Sequence, residues 1–196
     1  NFSSSSTLLP YETFYSATKG AGERLVKAFV NKYSKPVVTV RPYSVYGPGG
    51  DPKHFIPVAI QAFKENLKFN VAPGEHDWIH VDDHNSAVIE IMENGKSGET
   101  YLIGANGEKN NKDVIEMILK NMGQDSSAYD HVNDRPGHDL RYAIDNTKLV
   151  QELSWQPVYT DFESGIKATI DWYKANEAWW RPAKEATETK YKELGR

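Results

Sequence analysis

The sequence predicts an α/β fold built on a parallel β-sheet, and three neighbouring segments near its beginning support this prediction. Residues 37–41 (VVTVR) are apolar on both faces, which is typical of a buried parallel strand. Residues 15–33, which precede them, carry apolar and small side chains at helical spacing. Residues 1–6 (NFSSSS) have the pattern of a strand end. Strand, helix and strand in this order indicate a βαβ unit.

The later segments alternate between helices and short strands. We expect helices over residues 55–66, from about residue 83 to 94, over 110–122, 146–155 and 161–176, and in the charged tail from 177. Short strands are expected over 77–80 and 98–104, and a loop over 134–140 leads into another extended stretch. Gly123 is expected to end a helix, and Asn146 and Asp161 are expected to cap helix N-termini.

Composition excludes several classes of function. The 196 residues include 39% hydrophobic and 26% charged residues, as in soluble globular proteins. The absence of Cys removes disulfides, thiolate catalysis and zinc–thiolate sites. The net charge of −4 argues against a nucleic-acid partner, and no apolar run has the length of a membrane helix. Since the first residues also lack a signal-peptide pattern, we expect a cytoplasmic protein, and we expect no metal site.

Tyr15 and Lys19 form the first candidate site, because residues four apart lie on the same helix face. An ammonium beside a phenol favours the phenolate, and such a Tyr can accept a proton from an alcohol whose carbon loses a hydride to a nicotinamide. The spacing is a weak signal by itself, because 11 Tyr and 17 Lys make one chance match expected. An ordinary helical Tyr and Lys is therefore the competing interpretation.

The order of several motifs adds to this signal. Residues 15–19 (YSATK), 38–49 (VTVRPYSVYGPG), 77–83 (DWIHVDD) and 135–139 (RPGHD) resemble consecutive motifs of the extended short-chain dehydrogenase/reductases that act on nucleotide sugars. The resemblance runs from Phe14 to about Trp180 and is strongest to the dTDP-glucose 4,6-dehydratase branch of the NAD-dependent epimerase/dehydratase family.

This resemblance implies an architecture and its partners. It implies the C-terminal part of a Rossmann-type doubly wound parallel sheet plus a small α+β substrate-binding domain. Residues 1–50 would be the end of the NAD-binding domain, and residues 51–196 mainly the substrate domain, with 77–104 returning to the first. NAD is the implied cofactor and a nucleotide-diphosphate sugar the implied ligand, with no nucleic acid and no membrane. The helix over 15–33, with Ala28, Phe29 and Val30 on its outer face, would help to form a homodimer of the full-length parent.

The resemblance also assigns roles to individual residues. Tyr15 and Lys19 match the catalytic pair and also touch the cofactor, Val45 lies near the cofactor, and Ser5 stands nearest to the position of a catalytic Ser or Thr. Ser5 lies about half as far from Tyr15 as in the family, so a polar strand end is its competing interpretation. The implied substrate-binding residues are Ser44, His54, Phe55, Asn70, Ala72, His76, Asn111, Arg135 and His138.

Two of these assignments also have an argument from the residues themselves. Arg135 presents a planar fork of donors beside a Pro-Gly turn, which suits diphosphate oxygens, and His138 adds a donor. A surface Arg paired with Asp134 or Asp139 is the alternative. Asn111 precedes an amphipathic segment, so a plain helix cap is as plausible for it as a contact with substrate.

Several positions depart from the family pattern. Ser44 and Val45 replace two Asn, His76 replaces an Arg that meets phosphates, and His54 replaces a Lys. The family's glycine-rich phosphate loop and its acidic dehydration residues do not occur in the 196 residues. The sequence therefore leaves open a 4,6-dehydratase, a 4-epimerase, a UDP-glucuronate decarboxylase, and a catalytically silent module that only binds sugar nucleotides.

Overall fold

The computed structural model describes residues 1–8, 13–133 and 141–193. Within these ranges the chain forms seven α-helices and nine short strands. The helices are α1 (Phe14–Tyr33), α2 (Phe55–Lys64), α3 (Val81–Asn94), α4 (Asn111–Met122), α5 (Thr147–Leu153), α6 (Phe162–Ala175) and α7 (Glu177–Glu193). The strands are β1 (Thr39–Pro42), β2 (Val45–Tyr46), β3 (Phe69–Val71), β4 (Glu75–Asp77), β5 (Ile79–His80), β6 (Thr100–Ile103), β7 (Glu108–Asn110), β8 (Tyr129–His131) and β9 (Arg141–Tyr142).

The chain divides into two compact units. The first unit contains Asn1–Val45, Gly74–Lys109 and Arg135–Thr160, and the second contains Tyr46–Pro73, Asn110–Asp134 and Asp161–Arg196. Residues 77–104 and 141–160 lie in the first unit, and the predicted domain boundaries stay predictions. The binding role of each unit stays a prediction.

The first unit is built around parallel strand pairing, as the apolar run over 37–41 predicts. Strand β1 pairs in parallel with β6, with Thr39 opposite Thr100, and Phe2 adds a single parallel bridge to Val40. Helices α3 and α5 cover the apolar side chains of these strands. The core consists of Val40, Ile79, Ala87, Ile91, Tyr101, Ile103, Leu149 and Trp155.

Helix α1 is held at both ends and at its middle. The Thr13 side chain accepts a hydrogen bond from the Ser16 N–H, and the Ser16 hydroxyl oxygen accepts one from the Thr13 N–H, which forms a capping box. The helix ends at Ser34, which adopts the left-handed conformation. At mid-helix, Arg41 of β1 forms a bidentate ion pair with Glu23, with Nε 2.7 Å from Oε1. This pair lies largely out of solvent and fixes α1 against the strand.

The second unit is mainly helical. Helix α4 packs between α2 and α6, and β3 pairs in parallel with β8. The tail helix α7 confirms the helix predicted from 177, but it is anchored rather than wholly superficial. Its Trp180 is completely buried and donates its indole N–H to the Tyr173 carbonyl at 2.8 Å.

Three predictions of local structure need correction. The strand predicted over 1–6 is reduced to the Phe2 bridge, and residues 5–8 form a 3₁₀ turn. Helix α3 begins two residues earlier than predicted, because His80 supplies the cap. Asn146 precedes α5 but makes no side-chain cap bond; its amide instead donates to the Gly104 carbonyl at 2.7 Å. Asp161 does cap α6, by accepting from the Glu163 N–H.

None of the helices in the described part of the chain combines the length and the apolar character that crossing a bilayer requires. The same residues contain no cluster of three or more His, Asp or Glu side chains arranged to hold a metal ion.

Candidate active site

Tyr15 and Lys19 lie in the first turns of α1, on an accessible face. The Tyr15 side chain is 57% exposed. The Lys19 ammonium lies 5.7 Å from the centroid of the Tyr15 ring and 3.5 Å from the Phe2 carbonyl oxygen, to which it donates. The helix therefore brings the Tyr15 phenol and the Lys19 ammonium together at its first turns. The catalytic role of this pair stays a prediction.

Ser5 lies within the first unit on the 3₁₀ turn that precedes α1. Its side chain is completely buried, and its hydroxyl donates to the Pro42 carbonyl at 3.3 Å. This bond connects the turn to the end of β1. A catalytic role for Ser5 stays a prediction, and the contact that the structure shows is structural.

Ser44 and Val45 follow β1 directly, where the chain leaves the sheet. The Ser44 carbonyl accepts a hydrogen bond from the Ile79 N–H at 3.2 Å, which fixes the backbone of this segment. Val45 begins the short strand β2, which pairs with β5. Both side chains are half-buried. The backbone is thus ordered at the end of β1, the edge at which parallel sheets commonly bind ligands.

His76 lies on β4 and is held by two aromatic neighbours. Its Nδ1 is hydrogen-bonded to the Tyr43 hydroxyl, and the two rings are 5.7 Å apart. Trp78 lies two residues further on and presents its ring edge to the imidazole at 5.8 Å. The sequence predicted a role for His76 but not its contact with Tyr43. Tyr43 directly follows a strand, and nothing in the sequence there indicates a partner 33 residues away.

Asp77, the neighbour of His76, fixes the loop that follows β6. It is completely buried, and its Oδ1 accepts from the Gly107 N–H at 2.8 Å. Burial raises the pKa of this carboxyl above its usual range, and the hydrogen bond from Gly107 opposes the rise. Gly104 lies against the other carboxylate oxygen, where a Cβ atom would overlap it. The close packing around Asp77 therefore holds β4, and with it His76, in place.

The second unit carries four of the predicted substrate-binding residues near the start of α2 and along β3. His54 immediately precedes α2, makes no side-chain cap bond, and is exposed. The Phe55 ring packs edge-on against Phe69 at 5.5 Å. Asn70 on β3 is exposed, and Ala72 follows that strand and is half-buried.

The structure shows that Asn111 is not the cap of α4, and its contact with substrate stays a prediction. Asn110 caps α4, because its Oδ1 accepts from the Asp113 N–H at 2.8 Å. Asn111 is only 5% exposed, and its Nδ2 donates to the Ala72 carbonyl at 3.1 Å. Its Oδ1 is buried and has no hydrogen-bond partner among the described residues. A buried acceptor without a donor is costly, so this oxygen is suited to a ligand that carries a donor.

Arg135 and His138, the predicted diphosphate contacts, lie outside the described residues. Their assignment stays a prediction from the sequence. Arg141, close behind them, is described: its Nε donates to Glu108 at 3.0 Å, so it serves as a structural ion pair between β9 and β7.

The model of the NAD-dependent epimerase/dehydratase family matches residues 2–104, just over half of the chain. The chain belongs to this family. The matched region contains the Tyr15–Lys19 pair, the segment after β1 and His76.

Members of the family with assigned activities match over most of the chain. The dTDP-glucose 4,6-dehydratase of Mycolicibacterium smegmatis is 49% identical over 184 residues, which cover 92% of this chain and 56% of that protein. The enzyme of the same name from Mycobacterium tuberculosis is 46% identical, with the same coverage. The chain thus spans little more than half the length of these family members.

Solved structures of the family agree with the fold. The dTDP-glucose 4,6-dehydratase of Bacillus anthracis in complex with NAD superposes with a TM-score of 0.84 at 33% identity. The match covers 92% of this chain and 63% of the Bacillus anthracis chain. A dTDP-glucose 4,6-dehydratase double mutant from Streptomyces venezuelae superposes with a TM-score of 0.86 at 27% identity. The match covers 93% of this chain and 61% of the mutant chain. These matches confirm the predicted Rossmann-type α/β fold.

Proposed function

We propose that this chain is the C-terminal part of an NAD-dependent nucleotide-sugar 4,6-dehydratase that acts on dTDP-glucose. The observation that carries the proposal is identity of 46–49% to enzymes of that name across the segment that contains Tyr15 and Lys19. The adjacent phenol and ammonium on an accessible helix face support it.

The residues of the first unit fit the nicotinamide end of NAD. The exposed phenol of Tyr15 and the half-buried ammonium of Lys19 are donors suited to the ribose hydroxyls of a dinucleotide. The chemistry that bound NAD supplies is acceptance of a hydride. Tyr15 would take the proton of the sugar 4-hydroxyl, with the positive charge of Lys19 beside it.

Oxidation at C4 of the sugar has a direct consequence for the neighbouring carbon. A ketone at C4 acidifies the proton on C5, so that water can leave across C5 and C6 and leave a 4-keto-5,6-ene. Return of the hydride to C6 and of a proton to C5 would then give the 4-keto-6-deoxy sugar and leave the nicotinamide oxidised again. This chain contributes the base of the first step. The same oxidation at C4 is also the first step of 4-epimerisation and, with UDP-glucuronate, of decarboxylation. The products distinguish dehydration, epimerisation and decarboxylation.

Asn111 supports a ligand role for the second unit as well. Its buried Oδ1 lacks a donor while its Nδ2 is fixed on Ala72, so the amide is oriented before a ligand arrives. In the second unit we assign Asn111, His54, Asn70 and Ala72 to binding of the sugar nucleotide. In the first unit we assign Ser44 and His76 to the same ligand, from the resemblance alone. Phe55 has a packing contact in the structure and is the weakest member of this set.

Two departures from the family pattern favour a second candidate, the catalytically silent binding module. Val45 offers no side-chain hydrogen bond, and His76 is not a permanent cation as an Arg would be. The intact pair of Tyr15 and Lys19 argues against this candidate, because a module that only binds has no need of a base and a supporting charge.

Incubation of the full-length parent with dTDP-glucose and NAD tests the proposal. We expect a 4-keto-6-deoxy product, which absorbs in alkali and is identified by mass loss of one water. Interconversion of UDP-glucose and UDP-galactose would indicate an epimerase, and carbon dioxide from UDP-glucuronate a decarboxylase. Binding without any product would indicate the silent module.

A further inference from the structure

Helix α1 carries two half-buried residues of opposite charge one turn apart, Lys19 and Glu23. Residues four apart lie on the same face of a helix, and opposite charges at this spacing attract each other. The Lys19 ammonium donates to the Phe2 carbonyl at 3.5 Å and lies 5.7 Å from the centroid of the Tyr15 ring. A Glu23 carboxylate without another partner would therefore compete for the ammonium that lies beside Tyr15.

The structure gives Glu23 a different partner. Its carboxylate pairs with Arg41 of β1, and the described residues show no ion pair between Glu23 and Lys19. The guanidinium donates one bond to each carboxylate oxygen, through Nε, which lies 2.7 Å from Oε1, and through Nη2 to Oε2. Thr7 donates a further bond to Oε1 at 3.3 Å. A planar guanidinium matches a carboxylate in this arrangement better than an ammonium does, so Arg41 occupies the oxygens that Lys19 would need.

The Glu23 carboxylate is charged, and it would be costly to leave without a partner. The side chains of Arg41 and Glu23 are only 18% and 16% exposed. Burial by itself raises the pKa of Glu23, but the hydrogen bonds and the charge of Arg41 outweigh it and hold the pKa below its usual range. A desolvated carboxylate that loses its cation draws on another one within reach. On α1 these are the half-buried Lys19 and the exposed Lys27, one turn to either side of Glu23.

We propose that Arg41 is a positioning residue that engages the Glu23 carboxylate and thereby keeps the Lys19 ammonium beside Tyr15. The catalytic part of this inference rests on the function proposed above. The electrostatic part rests only on the contacts of Arg41, Glu23 and Lys19.

The two partners of the pair are then not equivalent. An ion pair that only links α1 to β1 fails when either partner is lost. A pair that masks a competing charge fails when Arg41 is lost, because Glu23 is then set free to bind Lys19. It does not fail when Glu23 is replaced by Gln, because the competing charge is removed together with the need to mask it.

Carbon-13 NMR of the 196-residue chain, labelled at lysine Cε, tests the electrostatic part, because the Cε signal responds to the partner of the ammonium. The Lys19 signal is assigned by its loss in Lys19→Arg. We expect this signal to move in Arg41→Gln and to return to its wild-type position in the double variant Glu23→Gln/Arg41→Gln. Arg141→Gln is the matched control, because it removes another two-bond pair of Arg with Glu in the first unit.

Kinetics of the full-length parent with dTDP-glucose test the catalytic part, with kcat normalised to the folded fraction of each variant. We expect Arg41→Gln to lower kcat by about three- to tenfold, the scale of one hydrogen bond, with KM for dTDP-glucose near the wild-type value. Glu23→Gln should keep the wild-type kcat, and the double variant should regain most of the rate that Arg41→Gln loses.

A Lys19 signal that does not move in Arg41→Gln overturns the inference, because Glu23 then does not draw on Lys19. In a parent that forms product, a wild-type kcat in Arg41→Gln overturns it as well. So does a loss of kcat in Glu23→Gln, and that result does not depend on whether Arg41→Gln folds. If the wild-type parent forms no product from dTDP-glucose, the proposed function fails, and the Lys19 signal still decides the electrostatic role of Arg41.

Discussion

Two adjacent asparagines show how the structure separates a structural residue from a candidate binding residue. Asn110 satisfies the free N–H groups of α4, and Asn111 is turned inward with a buried, unpaired carbonyl oxygen. Both have the same chemistry and nearly the same sequence context. Only the direction of the side chain, which is set by the start of α4, distinguishes them.

This difference predicts opposite effects for the same substitution. Asn111→Ala should weaken binding of dTDP-glucose by about 1 kcal/mol or more, because it removes the acceptor offered to the ligand. Asn110→Ala should leave affinity unchanged and lower the free energy of unfolding by about 1 kcal/mol, because a helix cap is lost. Titration calorimetry and urea unfolding of both variants measure the two effects. If both variants lost the same affinity for dTDP-glucose, the effect of Asn111 on binding would come from its part in the fold and not from a contact with the ligand.

His80 predicts a dependence of stability on pH. It is almost fully buried, caps α3 by accepting from the Asp82 N–H at 3.3 Å, and stacks on Tyr159 at 3.8 Å. Burial lowers the pKa of His80 below its usual value, against the opposing charges of Asp82 and Asp83. The unfolded chain therefore binds the proton first, so stability is full above about pH 6.5 and is lost as the pH falls towards the lower, folded pKa.

The measurement is urea unfolding between about pH 5 and 7.5, in the wild type and in His80→Asn. Asn keeps a cap acceptor but does not titrate in this range. We expect the free energy of unfolding to fall less steeply with decreasing pH in His80→Asn. Parallel pH profiles for the two proteins would show that His80 does not control this dependence.

At the scale of elements, α1 has an exposed apolar stripe that the fold of this chain does not use. Phe14, Ala21, Leu25 and Ala28 are all exposed and share one face at helical spacing. Val30, which the sequence suggested for the outer face, is half-buried instead. An exposed stripe of this kind marks an interaction surface, and it supports the predicted homodimer of the full-length parent.

Leu25→Glu should therefore shift the full-length parent from dimer to monomer, because it places a charge in the apolar interface. Met92→Glu on α3 is the matched control, since both Leu25 and Met92 are 73% exposed. Sedimentation at micromolar concentration measures the effect. A wild type that sediments as a monomer would contradict the dimer, and dissociation by both substitutions would remove the special role of α1.

The elements also show what the sequence could predict. The helices with one clear apolar face, α1, α2, α4 and α6, lie where the 3.6-residue periodicity places them, and so does the apolar strand β6. Two- and three-residue strands such as β3 and β8 are too short for a period-2 pattern, and their pairing joins segments 60 residues apart. Tyr15, Lys19 and His76 could be predicted as site residues because the order of the motifs includes them, and their roles stay predictions. The Tyr43 contact and the direction of Asn111 were not predictable, because both arise from tertiary packing.

At the scale of the whole molecule, the 196 residues lack the glycine-rich turn that supplies most of the affinity for a dinucleotide. We therefore expect this chain alone to bind NAD only weakly and to convert no dTDP-glucose, while weak binding of the sugar nucleotide persists. Calorimetry with NAD and with dTDP-glucose on the 196-residue chain measures both affinities. A dissociation constant for NAD in the low micromolar range would require a cofactor site that neither the sequence nor the described residues indicate.

The central claim is that Tyr15 is the base of a dehydratase reaction, and a pair of tyrosines on α1 tests it most directly. Tyr15 and Tyr33 are 57% and 52% exposed, so Tyr33→Phe is a matched control for Tyr15→Phe. The measurement is the rate at which the full-length parent forms 4-keto-6-deoxy product from dTDP-glucose. We predict that Tyr15→Phe lowers kcat by roughly 10²–10⁴-fold, the contribution of a positioned general base, while Tyr33→Phe has the wild-type rate. A Tyr15→Phe enzyme that retains the wild-type rate would contradict the account.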